Sequence, residues 1–337
     1  MSAIKTKFIN EPENVTSELL EGYVLAYPDQ VKLGAENIVV RANPKSEDKV
    51  AVITLGGSGH EPALSGFVGE GMLDASVVGD IFAAPGAQRV FQALQMFKRD
   101  AGILLVVLNH SGDVMSANMA CQMAERAGIK VKQLLTYDDI SAGIDTPKDD
   151  RRGLAGCVPM IKILGAAAEE GKSVDELIEI GERLNAKIAT LAVAMKYCVH
   201  PQNGAMVTDL PEGIMEIGMG QHGEGGGGRQ PLISADDTAS KMVDLLCKQV
   251  KPNAGDNMML IVNGVGASTH MELSIVFRKA YKELEARGLN VVSGRIQEIL
   301  TVQEQAGFQM ILAGLDADHI AYLNKKADAP YWTTIGK

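Results

Sequence analysis

Paired cysteines, an excess of basic charge, aromatic bulk and long apolar runs are all missing from this chain, and each absence closes off a class of function. The four cysteines, Cys121, Cys157, Cys198 and Cys247, form no CxxC pair, so reduced thiols in apolar surroundings are expected. A formal net charge of −10 argues against binding a phosphate backbone, because such proteins carry basic surface that releases counterions. No nucleic-acid partner is expected. No apolar run reaches the length of a membrane span, and MSAIKTKFINEPENV lacks the apolar centre of a signal peptide. The expected location is the cytoplasm, with no membrane partner. Aromatics make up only 4% of the chain whereas glycine occurs 36 times. That balance suggests tight turns and close backbone approaches rather than a fold built on aromatic anchors.

What is present suits a soluble α/β protein. Hydrophobic residues make up 46% of the 337 residues and charged residues 22%, enough for a sizeable core and more chain than one domain usually holds. KVAVITL (49–55) reads as a buried strand running into Gly56-Gly57-Ser58-Gly59. GILLVVLN (102–109) reads as another, followed by a helix that Gly128 closes and by the strand VKQLLTY (131–137). Strand, helix, strand at this spacing predicts a parallel βαβ unit, whose ligands gather at the carboxyl ends of the strands. A helical block follows, with a capping box at Ser173 and Glu176. The strand-like ATLAVAM (189–195) then opens a second half of the same style, where Ser234 is the candidate cap of a helix and NMMLIVN and FQMILAGL are strands. The expected architecture is two α/β domains, 1–187 and 188–337, each a central sheet flanked by helices.

Three segments carry candidate chemistry. GGSGHEP (56–62) places His60 at a strand end, in a glycine loop that lacks the Lys-Ser/Thr ending of a P-loop and the GxGxxG spacing of a dinucleotide site. His60 is a candidate partner for a ligand oxygen, or a loop histidine satisfied by the backbone. NHSGDVM (109–115) places Asp113 at the start of a helix. Position alone favours an N-cap there over a general base. GMGQHGEGGGG (218–228) presents His222 among glycines, where a small molecule can approach the backbone and an unprotonated imidazole can act as a nucleophile. A mobile loop is the bland alternative. No HExxH motif and no local Cys/His cluster supports a metal site. Histidines 110, 200, 270 and 319 read as structural or surface residues, His110 the least so because it neighbours Asp113.

Taken in order, GGSGHEPALSGFVGEGMLDASVVGDIFAAP, NHSGDVM, RRGLAG (151–156), MEIGMGQHGE, VNGVGA (262–267) and a closing Gly-Lys resemble the substrate-binding K subunit of the dihydroxyacetone (glycerone) kinase family, over nearly the whole chain. The resemblance implies that His222 bonds covalently to the ketose carbonyl carbon as a hemiaminal. It further implies that His60 hydrogen-bonds the substrate, that Asp113 is the base toward the phosphoryl-accepting hydroxyl, and that Gly57, Ser58 and Gly59 line the pocket. The chain itself would bind no cofactor. ATP, or ADP rephosphorylated by a phosphocarrier protein, would sit with magnesium on a partner, an all-helical L subunit. A homodimer is the expected assembly. Two departures bear on substrate identity: Gly225 to Gly228 follow HGE where the family has proline, and Leu55 stands where a glycine is expected. A four-carbon ketose such as erythrulose and a non-catalytic ketose-binding regulator are the alternatives.

Overall fold

The computed structural model describes residues 7–196, 198–226 and 228–336. Lys337 of the closing Gly-Lys, and Gly227 of the glycine run, lie outside the described residues. After helix α1 (Val15–Ala26), the first sheet gathers β1 (Val31–Ala35), β2 (Ile38–Arg41), β3 (Ala51–Ser58), β4 (Ala75–Ile81), β5 (Ile103–Leu108) and β6 (Val131–Thr136) in the order β1-β2-β4-β3-β5-β6. Strand β3 is parallel to both β4 and β5, and β5 is parallel to β6. Helix α2 (Ala87–Met96) joins β4 to β5, and α3 (Ser111–Arg126) joins β5 to β6. The second of these is the βαβ unit the sequence predicts. Strands β3 and β5 are buried on both faces, which is why they read as continuous apolar runs.

Side-chain alternation sorts the sheet into two cores. Ile53, Leu55, Leu105 and Val107 face α2 and α3. Val52, Leu104 and Val106 face a central layer of α4 (Cys157–Glu169) and α5 (Val174–Asn185). The capping box of α5 forms as read, Ser173 accepting from the Glu176 N–H and Glu176 reaching back.

The second sheet comprises β7 (Ile188–Met195), β10 (Ile214–Ile217), β11 (Arg229–Pro231), β12 (Asn257–Gly264), β13 (Asn290–Gln297) and β14 (Ala306–Gly314), with the small hairpin β8 (Cys198–Val199) and β9 (Met206–Thr208) beside it. Its order is β11-β10-β7-β14-β12-β13. Here the two halves differ, because only β12 and β13 run parallel and β14 lies antiparallel between β7 and β12. The cause is the return of the chain from the β13 edge through residues 298–305, which reverses it before β14. Helices α6 (Ala235–Val250), capped by Ser234, and α7 (His270–Ala286) cover the outer face.

The inner face, through Met259, Ile261 and Ile311, joins the same central core as the first sheet. Helix α8 (Ala317–Asn324) and the hairpin β15 (Ala327–Ala329) and β16 (Trp332–Thr334) also return to that core. Residue 187 therefore separates the sheets, while one apolar layer packs against both. No described helix is long and apolar enough to cross a membrane.

Candidate active site

The site lies where the carboxyl ends of adjacent strands β3 and β5 meet the loop after β10. A cavity of about 30 Å³ there is lined by Leu55, Gly57, Phe82, Asp113, Gln221 and His222 among others, with His60 in its wall. Three sequence segments with no local connection thus place His60, Asp113 and His222 around one space.

The β3 loop is fastened to residues 301–303 of the second half. His60 Nδ1 donates to the Thr301 carbonyl at 2.8 Å, and the Thr301 N–H returns to the His60 carbonyl at 3.0 Å. Thr301 Oγ1 donates to the Glu61 carbonyl at 2.8 Å and Gln303 Nε2 to the Gly59 carbonyl at 2.9 Å. A carbonyl only accepts, so the His60 hydrogen is fixed on Nδ1 and Nε2 is left as an acceptor. Burial first, and the neighbouring His222 second, push His60 down to about 3, so the ring is neutral. Gly57 is required because a Cβ there would lie 2.7 Å from the Ala83 amide nitrogen.

Ser58 and Gly59 do not line the cavity. The Ser58 hydroxyl is buried, donating to the Gly79 carbonyl at 3.0 Å and meeting Thr16 Oγ1 at 3.0 Å. The Gly59 N–H is held by both Glu61 oxygens, at 3.0 and 3.1 Å. These two residues shape the loop and present no side-chain group to the cavity. Leu55, the departure from the family pattern, does line it.

Asp113 is not the N-cap that its position favoured. The cap residue of α3 is His110, which makes no side-chain cap bond, and Asp113 Oδ1 is buried without any partner. Burial pushes its carboxyl up to about 7, against the opposing pull of His222. An unpartnered buried carboxylate costs stability unless a ligand satisfies it.

The loop that carries His222 closes on itself. The His222 N–H donates to Glu224 Oε2 at 2.9 Å, and the Gly220 N–H to the Glu224 carbonyl at 2.7 Å. Glycines are needed there for a steric reason: a Cβ on Gly223, where φ is +80°, would sit 2.0 Å from the Val207 carbonyl oxygen, and one on Gly220 would strike Arg152 and Glu224. Arg152 braces the loop, with Nη2 on the Gly218 carbonyl at 3.1 Å, Nη1 3.7 Å from Glu224 Oε2, and Nε on Asp139 at 2.7 Å. Burial alone would raise the Glu224 carboxyl, but the facing His222 side chain and the backbone N–H groups of the loop hold it at about 2.

The rings then meet. His222 Nε2 lies 3.0 Å from His60 Nε2 and its Nδ1 lies 3.4 Å from Glu224 Oε1. Phe82 sits 4.9 Å from the His60 ring centre and 5.6 Å from that of His222.

His110 also faces His222, with ring centres 5.4 Å apart, its Nε2 hydrogen on the Gly153 carbonyl at 2.8 Å. It belongs to the site rather than to the structural residues where the sequence placed it. Gln221 meets the same His110 nitrogen at 3.0 Å. Sequence reasoning missed Phe82, Gln221, Glu224, Arg152 and Thr301 as site residues; the HGE and RRGLAG segments held two of them in view.

A family model described as "Dak1 domain" matches residues 21–331. The chain is 35% identical to the dihydroxyacetone-binding subunit DhaK of a PTS-dependent dihydroxyacetone kinase of Listeria innocua, over 97% of this chain and 99% of that one. It is 34% identical to the L-erythrulose kinase of Pectobacterium atrosepticum, covering 96% of this chain but 56% of that protein. Among solved structures, a dihydroxyacetone kinase operon co-activator, Dha-DhaQ, superposes with a TM-score of 0.89 at 31% identity, over 96% and 99% of the two chains. The dihydroxyacetone kinase of C. freundii superposes with 0.87 at 30% identity, over 98% of this chain and 60% of that one. Ordered motifs, a fold shared along the whole length and a family match over most of the chain agree: this protein belongs to the Dak1 family of dihydroxyacetone kinase substrate-binding chains.

Proposed function

We propose that the chain is the ketose-binding subunit of a dihydroxyacetone kinase, holding dihydroxyacetone or a close relative covalently on His222 while a partner chain phosphorylates a terminal hydroxyl. The observation that carries this reading is the 3.0 Å contact between His222 Nε2 and a His60 Nε2 that can only accept, beside the unpartnered Asp113 carboxyl. As His222 Nε2 adds to the carbonyl carbon, its hydrogen passes by way of His60 Nε2 to the carbonyl oxygen. One N–C bond forms, the π pair moves to oxygen, no atom is lost and the step reverses. The bond selects ketones over polyols, which have no electrophilic carbon, and fixes the hydroxyl for in-line transfer. Asp113 in its ionised form accepts that hydroxyl's proton.

The phosphoryl donor, ATP or a rephosphorylated ADP with magnesium, is assigned to a helical L subunit, and the assembly to a homodimer. No residue described here is given a role toward nucleotide or its magnesium. The relative that acts on erythrulose makes four-carbon ketoses part of the substrate class to be tested. Intact-mass measurement after borohydride reduction, with peptide mapping, tests the reading: a ketose-dependent gain on the His222 peptide, absent with glycerol, is expected. No gain with dihydroxyacetone or erythrulose rejects it.

The likeness to an operon co-activator favours one second reading, a regulator that binds ketose without turnover. Asp113 separates the two, because binding needs no buried base. Turnover with an added L subunit identifies the kinase; adduct formation without turnover identifies the regulator.

A further inference from the structure

Hydrogen placement around His222 leaves too many acceptors. With the His60 hydrogen fixed on Nδ1 by the Thr301 carbonyl, the 3.0 Å contact between the two Nε2 atoms takes its hydrogen from His222. In the tautomer with hydrogen on Nε2 alone Nδ1 is bare, and this atom faces Glu224 Oε1 at 3.4 Å. The other Glu224 oxygen is engaged by the His222 N–H at 2.9 Å and faces Arg152, so Oε1 is the free one. His110 is in the same state, because its Nε2 hydrogen lies on the Gly153 carbonyl and Nδ1 carries the free lone pair. Ligand atoms of His110, His222 and Glu224 all fall within 4.8 Å of one another. Two imidazoles and a carboxylate, drawn from two separate loops, therefore offer ligand atoms to a common space.

That donor set is the one a zinc ion takes. Ligand atoms about 2.0–2.1 Å from zinc in tetrahedral array lie about 3.4 Å apart, and the His222 Nδ1 to Glu224 Oε1 separation is 3.4 Å. The outer contacts are also those of a metal site: a backbone carbonyl fixes the tautomer of one histidine, and Arg152, itself held by Asp139, orients the carboxylate. We propose that His110, His222 and Glu224 form a zinc(II) site that competes with the ketose. No local metal motif marks the site in the sequence, because the ligands come from the loop after β5 and the loop after β10. Zinc on Nδ1 draws electron density out of the His222 ring, so Nε2 is a weaker nucleophile toward the carbonyl carbon even after His60 takes its hydrogen. The bound ion is thereby an inhibitor, and its effect on the adduct rests on the function proposed above, whereas its binding does not.

The test uses the full chain, stripped of metal by a chelator and titrated with zinc(II) alone against a chromophoric competitor. One zinc per chain is expected, at micromolar affinity or tighter, with affinity falling at least about tenfold in both His110→Phe and Glu224→Gln. X-ray absorption at the zinc edge should show two imidazoles. Absence of saturable zinc, or affinity unchanged in both variants, overturns the site. Circular dichroism checks each variant's fold, and because the substitutions lie on separate loops, loss of one variant leaves the other informative. In the second arm, saturating zinc should suppress the borohydride-trapped ketose mass and EDTA should restore it. Zinc that binds without suppressing the adduct overturns the inhibitory role. An adduct that never forms, even without zinc, rejects the ketose reading and leaves the zinc count standing.

Discussion

His60 and His222 are 3.0 Å apart at Nε2, yet the chain treats them in opposite ways. The His60 loop is fastened by four hydrogen bonds to residues 301–303, and His60 is 6% exposed with one tautomer imposed on its ring. The His222 loop is held by its own backbone, by Glu224 and by Arg152, and the side chain is 29% exposed. Burial removes the charge of the first imidazole and makes it a fixed acceptor. Partial exposure leaves the second open to a ligand. Identical side chains gain different chemistry from how each loop is anchored, and that contrast can be broken one residue at a time.

The largest effect is expected from His222→Ala, which should abolish the reduction-trapped adduct altogether, while His60→Asn should leave a measurable fraction. Equal loss in both would mean the two rings do not divide the work. Next comes Asp113→Asn. Removing a general base should lower turnover with an L subunit by about 10²-fold or more, with adduct formation retained. Because the Asp113 carboxyl is pushed up to about 7, the ionised base accumulates only above that pH, so turnover should rise from pH 6 to 8 and lose that rise in the variant.

Stability runs the other way. A carboxyl that holds its proton more tightly folded than unfolded favours folding in acid, and this contribution is lost as pH rises from about 4 through about 7. Asp113→Asn should therefore be more stable than the parent at pH 8, by an amount on the order of a few kcal/mol, melt higher there, and match the parent near pH 4. A variant that melts lower at pH 8 would show that the carboxylate is satisfied by a partner.

Much of this was readable beforehand, for a definite reason. Strands β3, β5, β7, β12 and β14 are apolar on both faces, so burial writes them into the sequence as runs, and the Ser173 and Ser234 caps depend only on neighbours three residues away. Strand β4 was harder to see because Gly79 and Asp80 interrupt its apolar run, Gly79 being required where a Cβ would lie 2.0 Å from the Ala83 carbonyl oxygen. Strand β13 has no apolar run to reveal it, since its exposed positions are those of an edge. Site residues divide the same way. His60, Asp113 and His222 stand in local motifs. Thr301 touches His60 across 241 positions, and its backbone carbonyl, the group that sets the tautomer, carries no residue-type signal. His110 was passed over because its partner Gly153 also acts through a backbone carbonyl.

An intermediate effect is expected in the glycine loop. Gly223→Ala forces a Cβ against the Val207 carbonyl at positive φ, which costs on the order of 1–3 kcal/mol and displaces His222. Adduct formation should slow about ten- to a hundredfold. Gly225→Ala is the control, since its nearest neighbour is a Glu216 oxygen at 3.4 Å, and it should stay within about twofold of the parent. Similar slowing in both would mean that loop flexibility, not the placement of Gly223, governs the histidine.

The smallest effect sharpens the comparison most. Thr301→Val deletes the hydroxyl that donates to the Glu61 carbonyl at 2.8 Å but keeps the carbonyl that accepts from His60 Nδ1. Loss of one partly buried hydrogen bond costs about 1 kcal/mol, which lowers the melting temperature by about 2 °C in a chain of this size. If the carbonyl alone sets the His60 tautomer, the adduct should form at nearly the parental rate, and the nitrogen-15 shifts of the His60 ring should still report hydrogen on Nδ1. A large loss of adduct with only that small loss of stability would assign the positioning of His60 to the side-chain contact, and the two loops would then differ in strength of anchoring rather than in which ring nitrogen each leaves free.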